Sequence, residues 1–249
     1  MSNTPLQVGL LGGGVMGNGI AQVCAIAGLQ VTLCEATEPL AQKAKESLES
    51  GRYGLARAVE RGKLAAEKAQ AAKKLVRYAW DKRELAPCGF VIEAVPEDKN
   101  LKKKLFAEID SILSPNAILA SNTSGFSITE LSEAVSRKER FLGMHFFSPV
   151  PVMQVLEIIH TPATSKEAIA AAEELAKKMG KTPIRVKDAP GKYGFVANRV
   201  YLAMLKEAQA VVAEGVATME DVDTVMRLGY NWPVGPFGMI RGAKEGWKK

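Results

Sequence analysis

LGGGVMGNGIA, residues 11–21, decides how the N-terminal part of this sequence folds. It fits the pattern G-x-G-x-x-G at Gly12, Gly14 and Gly17, and it lies between an apolar strand candidate (6–12) and a segment with helical spacing. A glycine turn between strand and helix lets the backbone approach a diphosphate at the helix N-terminus. The motif alone is weak, because glycines also serve tight packing, so its surroundings must decide.

The surroundings favour dinucleotide binding. A second predicted strand, QVTLCE (30–35), ends on Glu35, 23 residues after Gly12. A carboxylate there can accept hydrogen bonds from ribose hydroxyls and repels a 2′-phosphate, and no Arg follows at 36–38. The sequence therefore predicts NAD rather than NADP as the cofactor. The alternative is a set of packing glycines followed by a solvent-facing Glu.

Strands and helices alternate along the chain up to Lys187, and only helical patterns follow. The Ala/Lys/Glu-rich segment 38–74 predicts two helices, broken near Gly51–Gly54 or Arg61–Gly62. This order predicts an α/β domain over 1–187 and a short all-α domain over 188–249. Further strands are predicted at 89–95, 117–121, 140–146, 154–160 and 182–187.

The net charge of +6 is concentrated in one helical stretch. Between Ala36 and Trp80 the chain carries ten Lys/Arg against five Glu, which leaves about +1 for all other residues. Few aromatic residues interrupt that stretch, so we expect no nucleic-acid partner. The remaining interpretations are a solvated helix face and a site for an anionic ligand.

Composition also limits the class of protein. The chain is 47% hydrophobic and 24% charged, as in ordinary globular proteins. Glycines break its apolar N-terminal run, so we expect no membrane helix, and no cationic leader precedes that run. Cys24, Cys34 and Cys88 show neither CxxC pairing nor metal-ligand spacing. We therefore predict buried free thiols, no metal site and a cytoplasmic protein.

Four segments resemble the L-3-hydroxyacyl-CoA dehydrogenases, including bacterial 3-hydroxybutyryl-CoA dehydrogenases. They occur in the family's order up to GPFG (235–238), and HFF-PVPVM followed by an acid is the most specific of their features. The segments are GGGVMGNGIA (12–21), SNTSGFSI (121–128), RFLGMHFFSPVPVMQVLEII (140–159) and DAPGKYGFVANRV (188–200).

The resemblance implies a Rossmann-type doubly wound sheet with a helical hairpin insertion after the second strand. The resemblance also implies a helical dimerisation domain after the sheet, so we expect a homodimer if the helical domain of this chain is sufficient for one. The implied reaction is the reversible oxidation of an L-3-hydroxyacyl-CoA to the 3-ketoacyl-CoA with NAD.

The stretch HFFSPVPVMQVLEIIH (145–160) contains both histidines of the chain and supplies the expected acid–base pair. His145 ends a predicted strand at the cofactor side, and Glu157 follows on the next strand across a Pro-rich turn. Antiparallel strands would bring the two together, so that the carboxylate fixes the imidazole tautomer while His145 takes the hydroxyl proton. The alternative is a structural pair that ties two strands. His160 has no family role.

The resemblance assigns further residues. It implies that Ser124 and Asn198 bind the reacting oxygen and the thioester region, although both could be helix caps. The basic hairpin is the expected coenzyme A site, with Arg52 and Arg57 as candidates, while Arg61 and Lys63 stay open. Beyond the glycines and Glu35, the expected cofactor contacts are Val15, Met16, Ala94, Glu97, Lys102, Asn122 and Ser148. Lys102 could equally be a helix-surface lysine.

The sequence departs from the family pattern in three places. Ser148 stands where the family usually has Asn, and the loop leading to Asn198 is about three residues longer than usual. The tail after GPFG lacks the usual acid-rich continuation, which leaves the helical domain shorter than the family's. A fragment, a domain of a larger protein and a natural short form are the alternatives.

Two rival functions remain open. One is another NAD-dependent 3-hydroxyacid or sugar-acid dehydrogenase with the same fold. The other is a non-catalytic NAD-binding relative, against which the joint presence of Ser124, His145, Glu157 and Asn198 argues.

Overall fold

The computed structural model of the protein describes residues 6–245, with side chains described up to residue 240. The chain divides into two compact units between Phe195 and Val196, a few residues beyond the predicted boundary after Lys187. We call them the N-terminal and the C-terminal unit.

The N-terminal unit alternates strands and helices. Its elements are β1 (Gln7–Leu11), α1 (Val15–Ile26), β2 (Gln30–Cys34), α2 (Glu38–Ser50), α3 (Leu55–Glu60), α4 (Ala66–Leu75), β3 (Val76–Ala79), β4 (Phe90–Glu93), α5 (Lys99–Ile112), β5 (Ile118–Ser121), α6 (Ile128–Leu131), β6 (Phe141–Phe146), β7 (Val155–His160), α7 (Lys166–Lys178) and β8 (Thr182–Lys187).

The eight strands form one sheet in the order β3-β2-β1-β4-β5-β6-β7-β8. Neighbouring strands are parallel except β6 and β7, which run antiparallel. The strand order reverses between β1 and β4, which opens a crevice at the carboxyl ends of these strands. The predicted Rossmann-type doubly wound sheet is therefore confirmed.

Apolar side chains cover both faces of the sheet, as a largely parallel sheet requires. Leu10, Ile20 and Leu142 belong to the core on the face covered by α1 and α7. Phe106 of α5 and Phe141 of β6 belong to the core on the other face, with ring centroids 5.0 Å apart in an edge-on arrangement.

The basic segment 38–74 forms three helices instead of the predicted two, because the chain breaks at both predicted positions. Gly51 and Gly54 end α2 and begin α3 with extended backbones. Gly62 has φ +64°, a conformation that glycine adopts without strain. The strand β3 directly follows α4 and was missed, since no turn residue separates the two.

The three cysteines are free and buried. Burial raises the pKa of the Cys24 thiol to about 12, and it raises those of Cys34 and Cys88 to about 11. These thiols are therefore neutral at physiological pH. In the part of the chain that the structure describes, no His, Cys, Asp or Glu group suits a metal ion, and no helix could cross a membrane.

The C-terminal unit consists of α8 (Val196–Ala213), α9 (Met219–Gly229) and α10 (Pro236–Glu245). Thr218 and Asp221 form a reciprocal capping box at the start of α9. The Asp223 carboxylate accepts hydrogen bonds from the backbone N–H groups of Phe237 and Gly238, at 2.8 and 2.9 Å. This contact fixes the start of α10 against α9.

Replacing Gly17 by Ala should destabilise the protein, because a Cβ at Gly17 would collide with the carbonyl oxygen of Gly12. We expect Gly17→Ala to lower the free energy of unfolding by about 2 kcal/mol, despite the higher helix propensity of Ala. Gly14→Ala is the control, because a Cβ there meets nothing within 4 Å. Its cost should stay below about 1 kcal/mol in urea unfolding. Equal losses for both variants would contradict this account.

Candidate active site

The glycine turn lies at the carboxyl end of β1. Gly12 has φ +91° and lies against the backbone of Ala94, while Gly17 lies directly on the carbonyl of Gly12. Gly14 precedes the first residue of α1 and faces open space, with no side chain to cap the helix. Since bare N–H groups at a helix N-terminus attract anions, the turn fits the diphosphate of a dinucleotide.

Glu35 follows β2 and turns back toward the glycine turn. Its Oε1 accepts a hydrogen bond from the Gly13 N–H at 2.6 Å, and its Oε2 accepts one from the Ala36 N–H at 3.1 Å. The carboxylate is thus held in one position, where each oxygen keeps a further lone pair for a ribose hydroxyl.

One cavity of about 970 Å³ joins these features, which supports the fit of NAD to the site. Trp80 also lines it, at the end of β3, and sequence reasoning missed this residue together with its strand. The predicted cofactor residues that line this cavity are Gly12, Gly14, Val15, Met16, Glu35 and Ala94.

His145 and Glu157 lie directly opposite each other in the antiparallel pair of β6 and β7. The imidazole Nδ1 is 2.7 Å from the carboxylate Oε2, and both side chains are buried. The rings of Phe147 and Phe195 flank the imidazole, with centroids 4.5 and 5.8 Å away. The predicted proximity of the two side chains is therefore confirmed.

Asn122 connects the carboxyl ends of three strands. Its backbone N–H donates to the carbonyl of Glu93 at 2.8 Å, and its side-chain oxygen accepts from the N–H of Phe146 at 2.9 Å. Ser148 lies two residues after Phe146, is exposed, and precedes a cis peptide bond to Pro149.

Lys102 is fully buried, at 1% exposure, so it is not the helix-surface lysine considered as an alternative. Its Nζ lies 2.5 Å from the Glu93 carboxylate and 3.2 Å from that of Glu97. Glu97 in turn accepts hydrogen bonds from the Ser124 N–H at 2.8 Å and from the Thr123 hydroxyl at 2.6 Å. The structure therefore brings Glu97, Lys102 and Ser124 into one network.

The two carboxylates of this network have opposite pKa shifts. Burial raises the pKa of Glu93 despite the neighbouring ammonium of Lys102. Burial also acts to raise the pKa of Glu97, but the Thr123 hydrogen bond, the Lys102 charge and the Ser124 N–H outweigh it and lower that pKa. The hydrogen bonds and the Lys102 charge therefore favour the ionised form of Glu97.

A second cavity, of about 420 Å³, shares Gly14 and Glu35 with the first one. The turn Pro149–Pro151, just after the His145 strand, forms one wall, and Arg52 lies in its lining. Arg57 does not line this cavity; its guanidinium pairs with Glu60 at 2.6 Å on the surface. The two candidate arginines for coenzyme A thus have different surroundings.

The loop 188–195 packs on the loop that carries Ser124. The Asp188 carboxylate accepts hydrogen bonds from the Ser127 hydroxyl at 2.7 Å and the Thr129 N–H at 2.8 Å. The ring of Tyr193 lies 6.2 Å from that of Phe126. The sequence predicted that this loop differs from that of the family, but it did not predict which residues the loop contacts.

Two residues that the sequence analysis named remain, Asn198 and His160. Asn198 lies in the first turn of α8, in the C-terminal unit. His160 is half-buried at the end of β7, where its backbone is in register with Lys187 of the parallel strand β8.

The chain is similar in sequence and in structure to several known proteins. A "Probable 3-hydroxybutyryl-CoA dehydrogenase" of Deinococcus radiodurans is 39% identical over 93% of this chain and 81% of its own length. The mitochondrial hydroxyacyl-coenzyme A dehydrogenase of Homo sapiens is 37% identical over 94% of this chain and 74% of its own. The solved structure of (S)-3-hydroxybutyryl-CoA dehydrogenase PaaH1 from Ralstonia eutropha matches with a TM-score of 0.88 and 42% identity, over 94% of this chain and 80% of that one.

Two family models match the chain in succession. The model of the 3-hydroxyacyl-CoA dehydrogenase NAD-binding domain covers residues 7–189, and that of the C-terminal domain covers residues 194–245. Together with the glycine turn and the His145–Glu157 pair, these matches show that the chain belongs to the 3-hydroxyacyl-CoA dehydrogenase family.

Proposed function

We propose that the chain catalyses the reversible, NAD-dependent oxidation of an L-3-hydroxyacyl-CoA to the 3-ketoacyl-CoA. The buried His145–Glu157 pair carries this proposal, because it supplies a base at the sheet edge where the glycine turn also lies. The names of the relatives support the same reaction and the same substrate class.

In the proposed reaction His145 takes the proton of the substrate hydroxyl. With Nδ1 engaged by Glu157, the neutral imidazole carries its proton on Nδ1 and accepts at Nε2. The Glu157 carboxylate then stabilises the imidazolium that forms. The surrounding rings of Phe147 and Phe195 exclude water, which strengthens this electrostatic interaction.

When bound, NAD supplies the acceptor for the substrate hydride. We propose that the glycine turn holds its diphosphate and that Glu35 binds its adenosine ribose hydroxyls. The burial of Lys102 beneath Glu97 supports an indirect contribution of that lysine. Further proposed contacts are Val15, Met16, Ala94, Glu97, Asn122 and Ser148.

Ser124 and Asn198 are the proposed hydrogen-bonding residues for the substrate. The contacts of Ser124 with Glu97 support its part, because the Ser124 N–H donates to that carboxylate and holds the backbone in place. The part assigned to Asn198 rests on the family resemblance.

For coenzyme A, we favour Arg52 over Arg57. Arg52 lines the cavity beside the Pro149–Pro151 turn, and within the described residues it forms no ion pair. Its guanidinium stacks on the Tyr53 ring, 5.4 Å from the centroid, which leaves its N–H groups available for a phosphate. Lys43 lines the same cavity and adds a second positive charge.

The homodimer and the cytoplasmic location stay predictions. Exposed apolar side chains on α8 and α9, including Val200, Val225 and Leu228, support association through the C-terminal unit. The buried free cysteines agree with a reducing compartment.

Replacing Glu35 by Ala should weaken NADH binding. We expect the dissociation constant to rise about tenfold, because a charge-assisted hydrogen bond to the ribose is lost. The difference in affinity between NADH and NADPH should become smaller as well, because the carboxylate that repels the 2′-phosphate is gone. Glu38→Ala, an exposed change at the start of α2, is the control. Unchanged NADH affinity of Glu35→Ala in a fluorescence titration would refute the assignment.

Replacing His145 by Gln should remove the base and leave the cofactor site intact. We expect turnover in the NADH-linked reduction of acetoacetyl-CoA to fall by about 10³-fold, with NADH affinity within about twofold of wild type. Glu157→Gln should lower turnover by about 10²-fold, because the tautomer and the imidazolium lose their partner. His160→Gln is the control and should keep normal turnover. Near-normal turnover of His145→Gln would exclude its role.

Replacing Arg52 by Ala should raise the KM for acetoacetyl-CoA about tenfold, because a phosphate loses its guanidinium partner. The KM for the 3′-dephospho substrate should change less. Arg57→Ala is the matched control, since Arg57 is already paired with Glu60. Steady-state kinetics with acetoacetyl-CoA and with its 3′-dephospho form measure these KM values. Equal KM changes for Arg52→Ala and Arg57→Ala would remove Arg52 from the coenzyme A site.

A further inference from the structure

Glu93 is a buried carboxylate for which the proposed reaction gives no task. It is 0% exposed at the end of β4, so it touches neither solvent nor a ligand in the crevice. Its Oε1 accepts from the Lys102 ammonium at 2.5 Å and from the Val95 N–H at 2.7 Å. Its Oε2 accepts from the Ser121 hydroxyl at 2.7 Å. Such complete hydrogen bonding fixes the carboxylate in one orientation.

Lys102 connects the buried Glu93 to Glu97, which lies at the surface of the site. A buried ammonium is costly unless it is paired, so the location of Lys102 depends on Glu93, its nearer partner. The same ammonium lies 3.2 Å from Oε2 of Glu97 and 3.3 Å from the carbonyl oxygen of Val95. Glu97 is half-exposed, and Lys102 is the charge that anchors it.

Glu97 in turn determines where Ser124 lies. Its Oε1 accepts from the Thr123 hydroxyl at 2.6 Å, from the Ser124 N–H at 2.8 Å and from the Ser124 hydroxyl at 3.1 Å. The hydrogen bond from the Ser124 hydroxyl is the longest of these three. This hydroxyl can therefore turn toward a substrate oxygen while the other two donors still satisfy the carboxylate.

We propose that Glu93 is a positioning residue for the dehydrogenase reaction, acting through Lys102 and Glu97 to hold the Ser124 hydroxyl at the reacting oxygen. This inference rests on the proposed function. The Glu93–Lys102 ion pair thereby becomes part of the machinery that positions the substrate, although Glu93 itself contacts no substrate.

The test is a double-mutant cycle between Glu93 and Ser124. Glu93→Gln keeps the shape of the side chain and removes its charge, so Lys102 loses one of its two carboxylates. We expect kcat for acetoacetyl-CoA reduction to fall about tenfold, with the KM for NADH within about twofold, because a misplaced hydroxyl slows the chemical step. Ser124→Ala alone should lower kcat by more than about tenfold. In the Ser124→Ala background, Glu93→Gln should cost less than about twofold more.

The possible outcomes are distinct. Independent, multiplicative effects of the two substitutions would overturn the inference, because Glu93 would then act on stability or elsewhere in the site. Unchanged kcat of Glu93→Gln would overturn it as well. Lack of NADH-linked activity in the wild-type chain would instead refute the proposed function. A Ser124→Ala variant with normal kcat would refute the role of Ser124 and, with it, the positioning role of Glu93.

Two further variants complete the design. Ser121→Ala removes one hydrogen bond from Glu93 and keeps all charges, so it serves if Glu93→Gln does not fold. We expect about a threefold loss of kcat that again disappears in the Ser124→Ala background. Lys103→Met is the matched control, because Lys103 follows Lys102 on α5 and forms an exposed ion pair with Glu133. It should leave kcat unchanged.

Discussion

Parallel strands that lie side by side present their carboxyl ends at one edge of the sheet, and the site of this protein is built on that edge. Leu11 of β1 is in register with Cys34 of β2 and with Glu93 of β4, and Glu93 is in register with Ser121 of β5. The residues that follow these four positions therefore meet, although up to 110 positions separate them in the sequence. The antiparallel strand β7 then adds Glu157 opposite His145.

Electrostatics at this edge follows from burial. Two groups of hydrogen-bonded ionisable side chains lie there, the His145–Glu157 pair and the Glu93–Lys102–Glu97 network. A buried charge is retained only with a partner, so each group imposes a defined geometry on its neighbours. Because strands and a helix carry these side chains, the His145–Glu157 pair and the loop holding Ser124 are positioned before any ligand binds.

Local patterns in the sequence predicted most of the fold, and long-range packing accounts for what they missed. The glycine turn and the alternation of strands and helices depend on neighbouring residues, which a pattern can reveal. The strand β3 was not predicted because it continues directly from α4. Trp80, which lines the cavity at the end of this strand, was therefore missed as well. The predicted pair of hairpin helices became three, since the chain breaks at both glycine positions.

The sequence by itself determined the glycine turn and the acid at Glu35. It also determined the His145–Glu157 pair, because strand periodicity and a short turn suffice to bring these two side chains together. Its resemblance to the family also predicted the cofactor and the reaction class. Only the tertiary structure decided that Lys102 is buried between two carboxylates and that Arg52 lines a cavity while Arg57 is paired at the surface. It also decided that the loop 188–195 lies against Phe126 and Ser127. These features depend on contacts between distant segments, and no local pattern of residues specifies which segments meet.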